Sequence, residues 1–305
     1  MAILKGQNFR ILTYDNSASA YRVVGMATGN TVTLTGNTED SSTKDDVAMA
    51  AKPVVVSKSW QVSVESLNVM DAGAILEAIK AQTPFTLIWD EVATNNNQTA
   101  IGAAISRRGK AYLSDVTFNF NDRENSSKSL QFTGTGPLDT RMSDSQDVDV
   151  IASGDYTKGQ YVRLFLGSDN TSTPDKVIAA AKQLSFHVSM SMENATTKDT
   201  QGDWQDQEPV GLAFDISTSA LMRGGDQITS QVGGQTVSDI QDIYESSNPV
   251  KFQIANTSGA NQRTKGAIIV SGSVVITSLT LNGPNRQNAD YSAQLSGFGT
   301  YTVGA

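Results

Sequence analysis

The chain has no cysteine and a single histidine in 305 residues. Without thiols there is no disulfide framework and no thiol chemistry. One imidazole with no second His or Cys leaves no zinc-type ligand set. Proline is scarce, at seven, and no apolar run approaches the length of a membrane span. The opening MAILKGQNFR lacks an apolar core long enough for a signal peptide, so the expectation is a soluble product made in the cytoplasm. Net positive charge is missing too: 23 basic against 31 acidic residues give −8. Half of that excess lies in residues 139–155, which hold one basic and five acidic groups. Such a balance argues against a sequence-reading DNA binder, which needs a basic face.

What the chain has is glycine, at 25, abundant Ser, Thr and Asn, and alternation. In KSWQVSVESL, Trp60, Val62 and Val64 face one way and Gln61, Ser63 and Glu65 the other, the period of a half-buried strand. The chain also repeats itself. Thr43-Lys44-Asp45 recurs as Thr197-Lys198-Asp199, and Trp60–Leu67 lies over Phe214–Leu221, both at a shift of 154. Asp71–Trp89 matches Thr236–Ile254 at a shift of 165, and Gly109–Gly136 matches Gly272–Gly299 at 163. Nine of the 28 pairs in that last stretch are identical, where ordinary residue usage gives about two. The reading is two copies of one small domain, over residues 1–138 and 156–305, with residues 139–155 as an acidic linker. The hydrophobic content of 38% suffices for two modest cores.

Taken in order, the first copy predicts a strand at Phe9–Leu12, strands Tyr21–Thr28 and Thr31–Thr35 split by Gly29-Asn30, and an aperiodic arm, Gly36–Ser57. After the Trp60 strand, Asp71–Gln82 reads as a helix ended by Pro84, with Asp71 as candidate cap. Strands follow at Phe85–Trp89, Gly109–Asn121 and Lys128–Gly134. The second copy repeats this order. Its strands are Tyr161–Leu166, Gln183–Met192, the segment around Phe214 and Ile216, Val250–Ile254, Ile268–Asn282 and Tyr291–Ser296. Its helix is Val237–Glu245, its arm Glu193–Gly211, and a Gly-rich insertion covers Arg223–Gly234.

Candidate chemistry is thin. His187 sits on the polar face of its strand and reads as a surface histidine. Asp144, Asp147 and Asp149 lack the glycine turn and closing Glu of a calcium loop and read as solvated linker. Arg107-Arg108-Gly109-Lys110 is the one compact basic patch. Gly224-Gly225 and Gly233-Gly234 are not followed by the GK[ST] of a phosphate loop. Trp60 and Trp89 read as core, and Trp204, in a charged arm, reads as the anchor of a contact. No nucleophile, acid–base pair, cofactor motif or metal cluster emerges, so no enzyme is expected.

The TTKD start, the charged arm with its aromatic residue, the strand KSWQVSVESL and the helix after it resemble the major tail tube proteins of long-tailed bacteriophages. The residues that carry the likeness are Thr197, Lys198, Asp199, Trp204 and Lys58–Leu67. In the first copy Asp46–Lys52 replaces the aromatic segment. The resemblance implies a β-sandwich or barrel domain with one flanking helix, here in tandem. It also implies rings whose inner sheets close into one β-barrel, stacked as the virion's tail tube, assembled in the bacterial host cytoplasm. Family rings hold six domains, so three chains suffice for one. Tape measure and tail terminator proteins are the implied partners, and DNA passes through the lumen without specific binding. Thr43, Lys44, Asp45, Thr197, Lys198, Asp199 and Trp204 are the candidate contacts between rings or subunits. Two alternatives stay open: a carbohydrate- or cell-surface-binding β-sandwich module, and the tube protein of a contractile injection system.

Overall fold

A computed structural model describes residues 6, 9–15, 20–24, 27–42, 51–67, 72–91, 106–140, 148–149, 158–178, 180–200, 202–222, 234–258 and 264–304. The chain is mainly β. The first half contains β1 (Phe9–Asp15), β2 (Ala20–Val23), β3 (Ala27–Asp40), β4 (Pro53–Ser66), α1 (Ala72–Lys80), β5 (Phe85–Glu91), β6 (Arg107–Asn121) and β7 (Ser127–Thr140). A two-residue strand β8 (Val148–Asp149) follows. After a 3-10 turn at Gly159–Tyr161 come β9 (Val162–Leu166), β10 (Lys176–Val177), β11 (Ala181–Asn194) and β12 (Gln207–Leu221). The chain ends with α2 (Val237–Ser246), β13 (Val250–Ser258), β14 (Thr264–Asn282), β15 (Asp290–Gly297) and β16 (Thr302–Val303).

These strands make one sheet, not closed into a barrel and not split into two sandwiched sheets. Among the described strands every pairing is antiparallel except β2 with β8, and isolated parallel bridges join Lys58 to Trp204 and Ile178 to Gln235. The sandwich or barrel expected of the isolated chain is therefore corrected, and the reason lies in β6. Its first half, Arg107–Ala111, pairs with β5, while its second half, Asp115–Asn121, pairs with β11 of the other half of the chain. A strand that changes partner along its length joins what would otherwise be separate sheets. The central path is β3–β4–β7–β6–β11–β12–β15–β14.

The two halves share their registers. Leu34 stands opposite Trp60 as Val188 stands opposite Phe214. The β3–β4 ladder slips at Ala27/Gly29 and Asn37/Thr38, and the β11–β12 ladder slips at Ala181/Gln183 and Ser191/Met192, both 154 residues on. The β6–β7 slip at Leu113/Asp115 likewise recurs in β14–β15 at Ile276/Ser278. Left-handed backbone recurs at Gln82 and Ser247, and at Arg123 and Arg286.

The arms are more regular than their composition suggests. The β3–β4 hairpin runs out to Asp40 and back from Pro53, through Gly29-Asn30, which bulges but does not break the strand. The β11–β12 hairpin runs to Asn194 and back from Gln207. Paired backbone groups satisfy their own hydrogen bonds, so polar sequence does not prevent a strand here. The Gly-rich segment 223–233, the tip residues 43–50, Asp71, Asp144 and Asp147 lie outside the described residues.

One large apolar core runs under both halves, beside a small separate cluster of Phe165, Val177 and Ala255. Phe186 and Phe214 pack on Phe252 and Tyr301, with ring centroids 5.6–6.3 Å apart. In the first half Trp60 packs against Trp89 at 5.8 Å, both buried as expected. The Tyr301 hydroxyl donates to the carbonyl of Leu76 at 2.8 Å, tying α1 to the far end of the chain. Helix α1 buries Ala72, Leu76 and Ile79 at helical spacing. Helix α2 buries Ile240 and Ile243 and opens with a capping box between Thr236 and Asp239.

Candidate assembly surface

Alternation gives the central sheet two unlike faces. One carries Val62, Phe132, Val116, Phe186, Ile216 and Leu295 and is buried. The other carries Ser, Thr, Gln and Asn side chains around four titratable groups: Glu65 on β4, Asp115 on β6, His187 on β11 and Asp215 on β12. Among the described polar-face positions from Thr31–Thr35 across to Ser278–Thr280, Lys110 on β6, opposite Thr135, supplies a basic side chain at one end. The result is a broad hydroxylic surface with three carboxylates. Nothing on it resembles a nucleophile with its base, and among the described residues no group of three His, Asp or Glu is placed to hold a metal ion.

His187 is not the plain surface histidine its sequence position suggests. It is half-buried, with Nε2 2.7 Å from Asp115 Oδ2 and Nδ1 2.8 Å from Asp215 Oδ2. Burial pulls the imidazole pKa down, but hydrogen bonds to the two carboxylates and their charges outweigh it, and the net shift is upward from 6.5. Because Asp115 belongs to the first half and His187 and Asp215 to the second, the triad is a clasp across the seam between them. Sequence reasoning missed it because the partners lie 72 and 28 residues away. The one available signal was Asp115 and Asp215 on the polar faces of alternating strands.

The second arm makes another clasp. Both hairpins leave their strands through the same neck: Asp40 Oδ1 accepts from the Ser42 and Lys52 backbone N–H groups, and Asn194 Oδ1 accepts from the Thr196 N–H. Beyond the neck, the chain at Asp203–Gln205 folds back onto β4 and β7. Gln205 N–H donates to the Lys58 carbonyl at 2.9 Å, and Gly136 N–H donates to the Gln205 carbonyl at 3.0 Å. Lys58 Nζ lies 3.3 Å from Asp203 Oδ2 and over the Trp204 ring. Trp204 thus anchors a contact between the halves of one chain. Thr197, Lys198 and Asp199 stay at the exposed tip, and Thr43, Lys44 and Asp45 lie outside the described residues.

The basic patch is partly neutralised. Arg108 donates to the Asp139 carboxylate at 2.9 Å, and Arg107 donates to the Ser106 carbonyl. Arg108 and Lys110 line an open cleft with Tyr14, Thr86, Asp139 and Asp206, so its walls carry both signs of charge. Among the described residues no helix is long and apolar enough to cross a membrane.

No curated protein matches the chain. Three solved structures share a distant likeness. The tail of an empty GTA particle is 20% identical, with 49% of this chain and 99% of that chain covered and a TM-score of 0.38. The virion of a native gene transfer agent particle is 18% identical, covering 49% and 99%, with a TM-score of 0.35. The SPP1 tail tube is 17% identical, covering 48% and 78%, with a TM-score of 0.33. Likenesses this distant carry no functional inference. The family model described as phage tail tube protein matches residues 163–303, which run from β9 to β16. Over these residues the second half of the chain is similar to the phage tail tube proteins, which are structural proteins.

Proposed function

We propose that the chain is two tandem copies of a tail tube domain, residues 1–138 and 156–305 joined by the acidic segment 139–155, and that three chains form one ring of the tube. The observation that carries this reading is the coincidence of register. The strand pairs β3–β4 and β6–β7 recur as β11–β12 and β14–β15, with both slips of β3–β4 and the Leu113/Asp115 slip of β6–β7 at the matching residue. Two unrelated domains have no reason to share bulge positions, which are placed individually in each fold.

The ring follows from what one copy does to the other. Within the chain, β11 adds to the side of β6, and a unit that docks head to tail on its own likeness makes a ring or a filament. Three chains give six such units, and eight strands per chain close as a barrel of twenty-four with the polar face inward. An acidic, hydroxylic wall repels the phosphate backbone and lets DNA slide through during ejection. The arm tips, with Thr43, Lys44 and Asp45 on one and Thr197, Lys198 and Asp199 on the other, reach toward the next ring and stack it. Val54, Val55, Val56 and Val210 are exposed along the same hairpin ends and add apolar surface there. Such a tube is built in the bacterial host cytoplasm and carried in the virion tail, alongside a tape measure and a terminator protein.

Negative-stain electron microscopy of the purified chain tests this. Hollow tubes or rings with a central channel are the expected result. Dispersed monomers at high concentration, retained by a glycan array, overturn it in favour of a sugar-binding module.

A further inference from the structure

We propose that the outer edge of β14 takes strand β3 of a second copy of this chain, and that the seam between chains is apolar where the seam within the chain is charged. The proposal rests on the ring reading above and names its residues.

The template is the seam already present. Inside the chain, β11 lies on β6 with Phe186 opposite Phe118, His187 opposite Thr117 and Val188 opposite Val116. Strand β3 corresponds to β11 at a shift of 154, and β14 to β6 at 163, because the ladder slips coincide at those shifts. Carried over, the register puts Val32 opposite Leu281, Thr33 opposite Thr280 and Leu34 opposite Leu279 of the next chain. Among the described residues β3 pairs only with β4, and β14 beyond Ser278 pairs only with β15. Both edges thus offer unpaired backbone groups, which extended chains recruit readily.

Exposure marks the same residues. Leu34 is 61% exposed and Leu281 46%, while their counterparts Val188 and Phe118 are 0% and 1% exposed. Two large apolar side chains stand in water at the positions the internal seam buries.

The contacts around the strands have changed on both sides at once. In the internal seam, Thr135 Oγ1 donates to the Gln207 carbonyl at 3.3 Å and accepts from the Gln207 N–H at 3.0 Å. The counterparts are Phe298 and Pro53. Phe298 has no hydroxyl, Pro53 has no N–H, and Phe298 is 54% exposed. The ion pair of Lys58 with Asp203, under Trp204, gives way to Leu212 with Met49 and Ala50 in the sequence. The clasp of His187 with Asp115 and Asp215 gives way to Thr33, Ser278 and Gln61. Three polar or charged contacts become apolar or neutral ones, with both partners altered together. A surface drifting without a partner has no reason to change in matched pairs. The partner that fits is a second copy of this chain.

The chain has no cysteine, so introduced pairs report cleanly. Thr33 and Thr280 lie on the two outer strands of the central path, out of reach of each other within one chain. Oxidised assemblies of the Thr33→Cys, Thr280→Cys variant should run in SDS without reductant as covalently linked chains. The Thr31→Cys, Asn282→Cys variant, opposite in the same register, should do likewise and serves if the first fails to fold. Thr31→Cys with Ser278→Cys, four residues out of register, should link roughly tenfold less, because a disulfide needs close Cβ atoms. High sulfate should promote assembly through this seam, as it promotes apolar burial generally. If tubes form and both in-register variants stay single chains, the pairing is overturned and the tube reading stands. If wild-type protein forms neither rings nor tubes, the ring reading fails and the pairing falls with it.

Discussion

At the scale of single residues, the halves meet through side chains whose roles depend on neighbours distant in sequence. A Cβ on Gly134 would overlap the indole of Trp60, and one on Gly297 would overlap the ring of Phe214. These two glycines make room for the large aromatic on the neighbouring strand, so Gly134→Ala and Gly297→Ala should each destabilise by about 1–3 kcal/mol, as overpacking does. Denaturant midpoints measure this, and unchanged midpoints for both would show that the rings move aside. His187 predicts a pH effect. Its folded pKa lies above 6.5, so its contribution to stability is fully present below 6.5 and is lost as pH rises through the raised value. Wild-type protein should lose more of its thermal midpoint than His187→Gln between about pH 5.5 and about pH 9. Equal losses in the two proteins would mean that the clasp is silent. The burial of Trp60 and Trp89 was legible in the sequence from alternation alone. The His187 clasp was not, because a polar-face residue acquires its meaning from the two strands beside it, and strand order is not written locally.

At the scale of elements, period and register were legible and extent was not. Trp60, Val62 and Val64 announce β4 by alternation, yet β4 begins seven residues earlier, at Pro53, in a stretch whose side chains are exposed on both faces. With no buried face there is no period to read. The same holds for Thr38–Asp40, and Gln207–Val210 has no fully buried residue either, so the arms looked like loops when their lower parts are hairpin. Their tips are where function should concentrate, since they end a rigid ladder in exposed polar chain. Replacing residues 197–202 by a short Asn-Gly turn leaves the neck at Asn194 and Thr196 and the Trp204 anchor in place. The shortened protein should fold with an unchanged circular dichroism spectrum and form rings that do not stack. Long tubes from this variant, seen by electron microscopy, would remove the arm tips from the stacking contact.

At the scale of the whole molecule, the halves are built as one body before any second chain arrives. The core is shared, β6 pairs with β11, and Tyr301 reaches back to α1. A linker that merely tethered two independent domains would leave their orientation free; here the paired strands fix the angle between them. That angle is what decides ring size, because each further chain must repeat it. On the proposed count of six domains per ring, three chains suffice, with the charged seam and the proposed apolar seam alternating around the circumference. The alternation has an assembly consequence. The charged seam forms within a chain, at the high effective concentration that a tether provides, so it is complete before the apolar seam meets its partner. Single chains should thus be the smallest assembling unit, with no stable half-chain species. Image analysis of the tubes should show threefold symmetry that approximates sixfold at low resolution. A ring of six chains, with twelve domains, would mean that the seam between chains opens at a different angle from the seam within one, and would refute the equivalence on which the count of three depends.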